Sequence, residues 1–339
     1  MTIVAVSVVL ALVLALAGTG LFRRHALRRG LLDVPTHRSS HELATPRGGG
    51  VAIVIAAMLA FGVLWYGGAL DSNLFLALCG GLAVAAIGLL DDRHQVSPAI
   101  RLVVHAAAAA WALYWLGGLP PLQVGTATIT FAFGGYVFGA IAIVWAINLF
   151  NFMDGLDGIA STEAIFVALG GALISALVGA HHGMWSAALI FAAACTGFLA
   201  WNWPPAQIFM GDVGSGYLGF VLAVLAIAAG REHSAALMSW TILGGAFLVD
   251  ATVTLLRRLV RGERVLEAHR SHAYQRLAQR WKSHLRVTLV VAALNVCWLL
   301  PCALLAWLWP ASSVWIAAGS LAAVAIVAWS MGAGVPAEN

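Results

Sequence analysis

The chain has 339 residues, of which 62% are hydrophobic and 9% charged, with a net charge of +4. A soluble domain carries about 25% charged residues, so a chain with a mean hydropathy of +0.92 and a pI of 9.1 is not an ordinary soluble enzyme, a disordered chain or a basic nucleic-acid binder. At roughly 20 apolar residues per crossing, it has room for about 10 to 12 membrane spans.

The first apolar run extends from Thr2 to about Phe22. No Lys or Arg precedes it, and Arg23, Arg24, Arg28 and Arg29 follow it. A cleavable signal carries its charge in front, so this run reads as a retained helix. Further runs lie near 49–68, 73–90, 99–117, 135–152, 160–180, 184–201, 213–230, 235–256, 287–309 and 313–331, eleven in all. The predicted fold is an all-α polytopic membrane protein, one domain over 1–339, without repeats or a long linker. Between the fourth and fifth runs, Val124–Phe133 is rich in Thr and β-branched residues. It reads either as a small extracytoplasmic β-hairpin or as an extended lead into the fifth span. Cys79, Cys195, Cys297 and Cys302 match no zinc or disulfide spacing and read as small apolar fillers.

Orientation follows from the basic residues. Seventeen of 18 fall in alternate loops: Arg23 to Arg47, Arg93 and Arg101, and Arg257 to Arg286. Only Arg231 lies on the other side. The positive-inside rule makes the crowded side cytoplasmic. Eleven spans then put the N-terminus outside and the C-terminus in the cytoplasm, as expected of a multi-pass protein of a bacterial inner membrane.

The acids gather on that same side. Asp91 and Asp92 end the third span, Asp154 and Asp157 the fifth, and Asp212 precedes the eighth. Taken singly, each could be a hydrated helix end. Five together in glycine-rich settings point to the floor of a cytosolic site. Asn148, Asn151, Asp154 and Asp157 recur every third residue and, if the segment is helical, share a face, a polar wall suited to Mg²⁺, ribose or a base. Phe209-Met-Gly-Asp212-Val-Gly-Ser-Gly opens a helix, where backbone N–H groups favour phosphate and Asp212 offers a hard oxygen to Mg²⁺. Upstream, Trp201-Asn202-Trp203-Pro-Pro is a rigid aromatic loop that could stack a base or anchor its span. In the last long loop, His269-Arg270-Ser-His272 suits a cationic arm over a diphosphate; a basic loop resting on anionic lipid is the alternative. In the first loop, Arg38 and Arg47 flank a glycine run entering the second span and can serve as counter-charges to phosphate. Cytosolic loops 23–48, 91–98, 153–159, 202–212 and 257–286 would form the site.

This set resembles the polyprenyl-phosphate N-acetylhexosamine-1-phosphate transferases (the MraY/WecA family, glycosyltransferase family 4). The resemblance rests on Asp33-x-Pro-x-x-Arg38-x-x-His41 with Thr45-Pro-Arg47, on Asp91-Asp92, on Asn148-x-x-Asn151-x-x-Asp154-Gly-x-Asp157-Gly, and on Phe209-Met-Gly-Asp212-x-Gly-Ser. It implies transfer of a sugar-1-phosphate from a UDP-sugar to undecaprenyl phosphate with release of UMP. Mg²⁺ is the implied cofactor, with Mn²⁺ able to replace it. Asp212 is the implied leading metal ligand, aided by Asp154. Asp91 and Asp92 are the implied catalytic pair, Asp91 nearest the lipid phosphate. Asn202 and Phe209 match positions that hold uracil, and Asn151, Asp154 and Asp157 the nucleotide-side wall. The His269–Gln275 motif is most similar to the WbpL-like O-antigen-initiating branch, which implies an N-acetylated 6-deoxy-aminosugar such as FucNAc or QuiNAc, with GlcNAc as another option. Phospho-MurNAc-pentapeptide transfer for peptidoglycan is the alternative within the family. The expected partners are the two substrates and the bilayer, without nucleic acid, and a homodimer is open.

The chemistry stands apart from the resemblance. Two anions must meet, and a metal with basic side chains offsets their repulsion and orients in-line attack. Asp91 could position the lipid phosphate, take its last proton, or attack as a nucleophile; the sequence leaves these open. A secondary transporter would place charges at the bilayer midplane and show repeat symmetry. Asp250, in or near the end of the ninth span, is the one residue that fits that class.

Overall fold

The computed structural model describes residues 2–34, 44–177, 182–263 and 270–335. It is an all-α multi-pass membrane protein. The helices are α1 (Thr2–Arg29), α2 (Gly50–Tyr66), α3 (Ser72–Cys79), α4 (Gly81–His94), α5 (Pro98–Leu116), α6 (Gly134–Met153), α7 (Ile159–Leu177), α8 (His182–Asn202), α9 (Asp212–Glu232), α10 (Ala236–Leu243), α11 (Gly245–Val260), α12 (Ala273–Trp281), α13 (His284–Leu294), α14 (Leu300–Leu308) and α15 (Ser313–Ser330). Among the described residues, nine helical stretches are long and apolar enough to cross a membrane, counting Ser72–His94 and His284–Leu308 as one each. The run near 235–256 is instead a broken pair, α10 and α11, bent by 71°. The run near 49–68 is α2, whose 17 residues span about 26 Å. Each of the eleven apolar runs is therefore a helical element.

The centre of the bundle is α9. Its apolar window is 89% buried, as suits a helix that is hydrophobic all round. Lipid offers no hydrophobic drive between helices, so close backbone packing by small residues holds such a bundle together. A Cβ on Gly219 would lie 2.1 Å from the Ala146 carbonyl oxygen of α6, and one on Gly88 of α4 would lie 2.5 Å from the Asp212 carbonyl oxygen. Two polar ties fasten the periphery. Asp71 caps α3 by accepting from Asn73 N and Leu74 N. The buried Glu163 of α7 accepts from Asn295 Nδ2 at 2.5 Å, at the π-helical turn Asn295–Leu299 that joins α13 to α14.

The Thr-rich segment forms a hairpin, β3 (Leu122–Val124) against β4 (Ala127–Ile129). Gly125, at the first of two turn positions, has φ +61°, where a two-residue hairpin turn favours glycine. The hairpin begins two residues before Val124. It lies at the Glu232 end of α9, where Ser234 Oγ donates to Gln123 Oε1. The acidic motifs lie at the Asp212 end. In a cysteine-free background, the positive-inside expectation is that Thr126→Cys reacts with an impermeant thiol reagent added outside and that Lys282→Cys reacts only after permeabilisation. The reverse pattern would invert the orientation.

Candidate active site

The site is assembled by a backbone junction. Strand β1 (Leu32–Asp33) pairs antiparallel with β2 (Thr45–Pro46). Beyond β2 the chain docks on the loop before α9. Phe209 N donates to Pro46 O, Gly48 N and Gly49 N donate to Phe209 O, and Gly50 N donates to Met210 O, all within 3.1 Å. This stitching carries Arg47 over the start of α9.

There, three carboxylates alternate with two guanidiniums. Asp92, at the end of α4, accepts from Asp212 N at 2.9 Å and Val213 N at 3.2 Å. It therefore caps α9, whose first N–H groups have no partner within the helix. Gly211 precedes α9 with φ +78°, and a Cβ there would meet Asp92 Oδ2 at 2.5 Å, so both conformation and space require glycine. Arg47 pairs with Asp92 at 2.9 Å and with Asp212 Oδ1 at 2.6 Å. Arg101, in the first turn of α5, pairs with Asp91 at 2.5 Å and with Asp212 Oδ2 at 3.2 Å. Asp91 also accepts from Val96 N at 2.6 Å. Burial works against the Arg47 charge, but Asp92 and Asp212 outweigh it and hold its pKa above the ordinary value.

Beside this cluster lies a cavity of about 250 Å³. One wall is the end of α6 and the loop after it, with Asn151, Asp154, Gly155, Leu156 and Asp157. The opposite wall has Asn202, Phe209, Asp212 and Ser215, and Asp33, Arg47, Gln275 and His284 close the rim. Asn151 Nδ2 donates to Ser215 Oγ at 3.1 Å. Asp157 accepts from Ala206 N at 3.1 Å, and His284 Nδ1 lies 3.2 Å from its other oxygen. Asn202 spends its amide on the protein, accepting from Gly158 N at 3.0 Å and donating to Ile208 O at 2.9 Å. It thus struts the two walls apart.

The Asp154 carboxyl is different. It makes no hydrogen bond or ion pair among the described residues. Burial pushes its pKa well above the usual carboxylate range; Arg47 opposes this, and Asp212, Asp92 and Asp157 add to it. An unpaired carboxyl among like charges in a cavity suits a ligand that brings positive charge. No group of three His, Cys, Asp or Glu converges on a metal position among the described residues. Mg²⁺ does not require one, since it binds through one or two carboxylates plus substrate phosphates. Asp154 and Asp212 in one cavity fit that donor set.

The second basic arm reaches the cavity from above. Asp250, on α11, accepts from Ala273 N at 2.9 Å and Tyr274 N at 3.0 Å, capping α12. That role accounts for the one acid that suggested a transporter. Tyr274 Oη donates to Phe152 O at 2.9 Å, and burial raises its pKa well above the ordinary value, Asp250 and Asp154 adding to the effect. A Cβ on Gly155 would lie 2.3 Å from Tyr274 Oη. Gly155→Ala is thus expected to push α12 away from the cavity and cut turnover about tenfold, with little change in melting temperature. Unchanged turnover would detach α12 from the site.

Comparison with known proteins follows the same residues. Residues 74–230 match the family described as Glycosyl transferase family 4. The decaprenyl-phosphate N-acetylglucosaminephosphotransferase of Mycobacterium tuberculosis (strain ATCC 25618 / H37Rv) is 31% identical over 307 residues, covering 80% of this chain and 75% of that protein. The chain belongs to the polyprenyl-phosphate N-acetylhexosamine-1-phosphate transferase family. A probable undecaprenyl-phosphate N-acetylglucosaminyl 1-phosphate transferase of Bacillus subtilis (strain 168) is 29% identical over 296 residues, 85% of this chain and 81% of the relative. The phospho-N-acetylmuramoyl-pentapeptide-transferase of Gluconacetobacter diazotrophicus is 30% identical over 256 residues, 66% of this chain and 68% of the relative.

The structure distributes the family's motif residues unevenly. Arg47, Asn151, Asp154, Asp157, Asn202, Phe209 and Asp212 line the cavity. Asp91 and Asp92 lie behind it in the ion-pair cluster, and Asn148 borders a smaller space on the far side of Asp212. His272 turns inward, with Nδ1 3.5 Å from Asp250 and its ring stacked on Phe152. Arg270, whose pKa burial lowers, is not among the lining residues. Arg38 and His269 lie outside the described residues. Sequence reasoning missed Gln275 and His284 as rim residues and counted Arg101 only as a loop charge. His284 stands twelve residues beyond His272 at a helix start, with no local pattern to mark it.

Proposed function

We propose that the protein transfers an N-acetylhexosamine-1-phosphate from a UDP-sugar to a polyprenyl phosphate, undecaprenyl phosphate in particular, releasing UMP at the cytoplasmic face. The observation that carries this reading is the cavity itself, which the unpaired Asp154 carboxyl lines together with Asp212 and Arg47. The relatives' shared chemistry supports it.

The residues divide the work. Arg47 draws the donor's diphosphate toward the start of α9. Asn151, Asp157 and Phe209 shape the nucleotide end, with Asn202 and His284 fixing the walls. Asp154 and Asp212 would hold Mg²⁺. That ion would polarise the diphosphate and stabilise the charge that builds on the departing UMP. Asp91 and Arg101 set the approach of the lipid phosphate, which is largely ionised at neutral pH and needs no strong base. Asp92 fixes α9 and Arg47.

The donor sugar is the finer question. The arm motif favours an N-acetylated 6-deoxy-aminosugar for O-antigen initiation, and the 30% identical pentapeptide transferase keeps the peptidoglycan donor as a second reading. Purified protein with undecaprenyl phosphate and Mg²⁺ should release UMP from UDP-FucNAc, UDP-QuiNAc or UDP-GlcNAc and leave UDP-MurNAc-pentapeptide intact. Turnover of the pentapeptide donor alone would reverse that order. No UMP from any donor would reject the function.

A further inference from the structure

Two arginines of the last long loop are tied to the segment that follows α15. Arg257, near the end of α11, stands over the Trp329 ring with its guanidinium carbon 3.9 Å from the centroid. Its Nη1 donates to Trp329 O at 3.2 Å and to Ala333 O at 3.0 Å. Arg276, on α12, donates through Nη1 to Val335 O at 2.9 Å. Neither arginine lines the cavity.

Residues 331–335 form a defined turn. Gly332 and Gly334 have φ of +82° and +75°, Ala333 between them is fully buried, and Val335 N donates to Gly332 O at 3.1 Å. A Cβ on Gly334 would lie 2.8 Å from Arg257 Cβ and 3.0 Å from Thr254 O, so conformation and space both require glycine. From this turn Gly334 N donates to Ser271 O at 2.7 Å. Ser271 precedes His272, the N-cap of α12.

A helix of nine residues has little stability of its own, so α12 stands where its anchors put it. Asp250 holds its first N–H groups, Phe152 O holds the Tyr274 hydroxyl, and residues 331–335 hold Ser271 and Arg276. What α12 brings to the cavity is Gln275, a lining residue whose Nε2 lies 3.4 Å from where a Cβ on Gly155 would stand. Gln275 Oε1 accepts from His272 N at 3.4 Å, so the side chain follows the segment that the turn grips.

We propose that residues 331–335 are a strap that positions α12, and through it Gln275, for the nucleotide-sugar donor. Arg257 and Arg276 are positioning residues that act through the strap and not on a phosphate. The inference rests on the transferase reading and adds what holds the donor side of the site in place.

The test uses the full chain in nanodiscs. Gly334→Val is expected to speed amide hydrogen exchange over residues 271–281 about tenfold while α9 keeps its protection. It should also raise the KM for the UDP-sugar about tenfold, with kcat and the KM for undecaprenyl phosphate within about twofold. Arg257→Met and Arg276→Met, which leave the backbone of the turn as it is, should repeat both effects in weaker form. Arg276→Lys can still donate to one carbonyl and should recover most of each loss, whereas a planar fork clasping a diphosphate is not replaced by an ammonium. Three results would overturn the assignment. Unchanged exchange with a raised donor KM would make these residues direct donor contacts. Faster exchange with an unchanged donor KM would detach the strap from the site. A joint change of kcat and both KM values, with a lower melting temperature, would make the strap a support of the whole bundle. The exchange measurement needs no substrate, so failure of the transferase reading shows separately, as no UMP from the unmodified protein.

Discussion

Asp212→Asn is expected to lower turnover about a thousandfold, roughly 4 kcal/mol of transition-state stabilisation, while the protein stays folded. The carboxylate accepts from Arg47 and Arg101, and under the proposed function it would hold Mg²⁺ together with Asp154. The amide keeps the shape but loses the charge that metal binding and arginine pairing use. Folding should survive because the cap on α9 comes from Asp92, not from the Asp212 side chain. Steady-state UMP release across a Mg²⁺ titration, with a melting curve, checks both halves. Turnover within tenfold of the unmodified enzyme at saturating Mg²⁺ would remove Asp212 from the metal site.

The neighbouring acids should separate by kind of defect. Asp92→Ala leaves two N–H groups of α9 without their acceptor and takes from Arg47 one of its two carboxylates, Asp212 remaining. Removing one partner of a buried ion pair costs about 3–5 kcal/mol. Arg47 is part-exposed at 38%, which puts the loss near the lower end, about 3 kcal/mol. A fall in melting temperature of about 5 °C or more is expected, together with loss of activity. Asp91→Asn should melt within about 2 °C of the unmodified protein and instead weaken handling of the lipid phosphate, because Asp91 holds Arg101 and Val96 N rather than a helix start. Adjacent helical residues point about 100° apart, and the structure shows the consequence: Asp92 faces α9 and Asp91 faces α5. Equal melting temperatures for the two variants, or an Asp91 defect confined to UDP-sugar affinity, would reassign them.

Much of this was legible in the sequence because membrane topology is written in composition. Each apolar run is helical, in one piece or two, and Asn151, Asp154, Asp157 and Asp212 meet in one cavity on the side the acids suggested. The shared helix face did not hold: α6 ends at Met153, and Asp154 and Asp157 lie beyond it rather than on its face. What escaped were features set by tertiary contact. The 71° bend between α10 and α11 falls at Gly244, in a run as apolar as its neighbours. Asp250 looked like an intramembrane charge because its partners, two backbone N–H groups of α12, are more than twenty residues away. Asn202 fits a base-binding motif by type, yet its polar atoms bind backbone, which motif matching does not reveal. His105 sits in an alanine-rich helix, and only the packing of α5 against its neighbours buries its Nδ1 without a partner among the described residues.

The central claim is that the transferred group is the sugar with its phosphate, and the position of the bond cleaved decides it. The measurement is phosphorus tracing with a UDP-sugar labelled at either phosphate, in the presence of undecaprenyl phosphate and Mg²⁺. The expected result is β-label in the organic-phase lipid and α-label in UMP, in equal amounts, both lost with Asp212→Asn. Release of UDP carrying both labels, with an unlabelled lipid product, would show transfer of the sugar alone and would contradict the account.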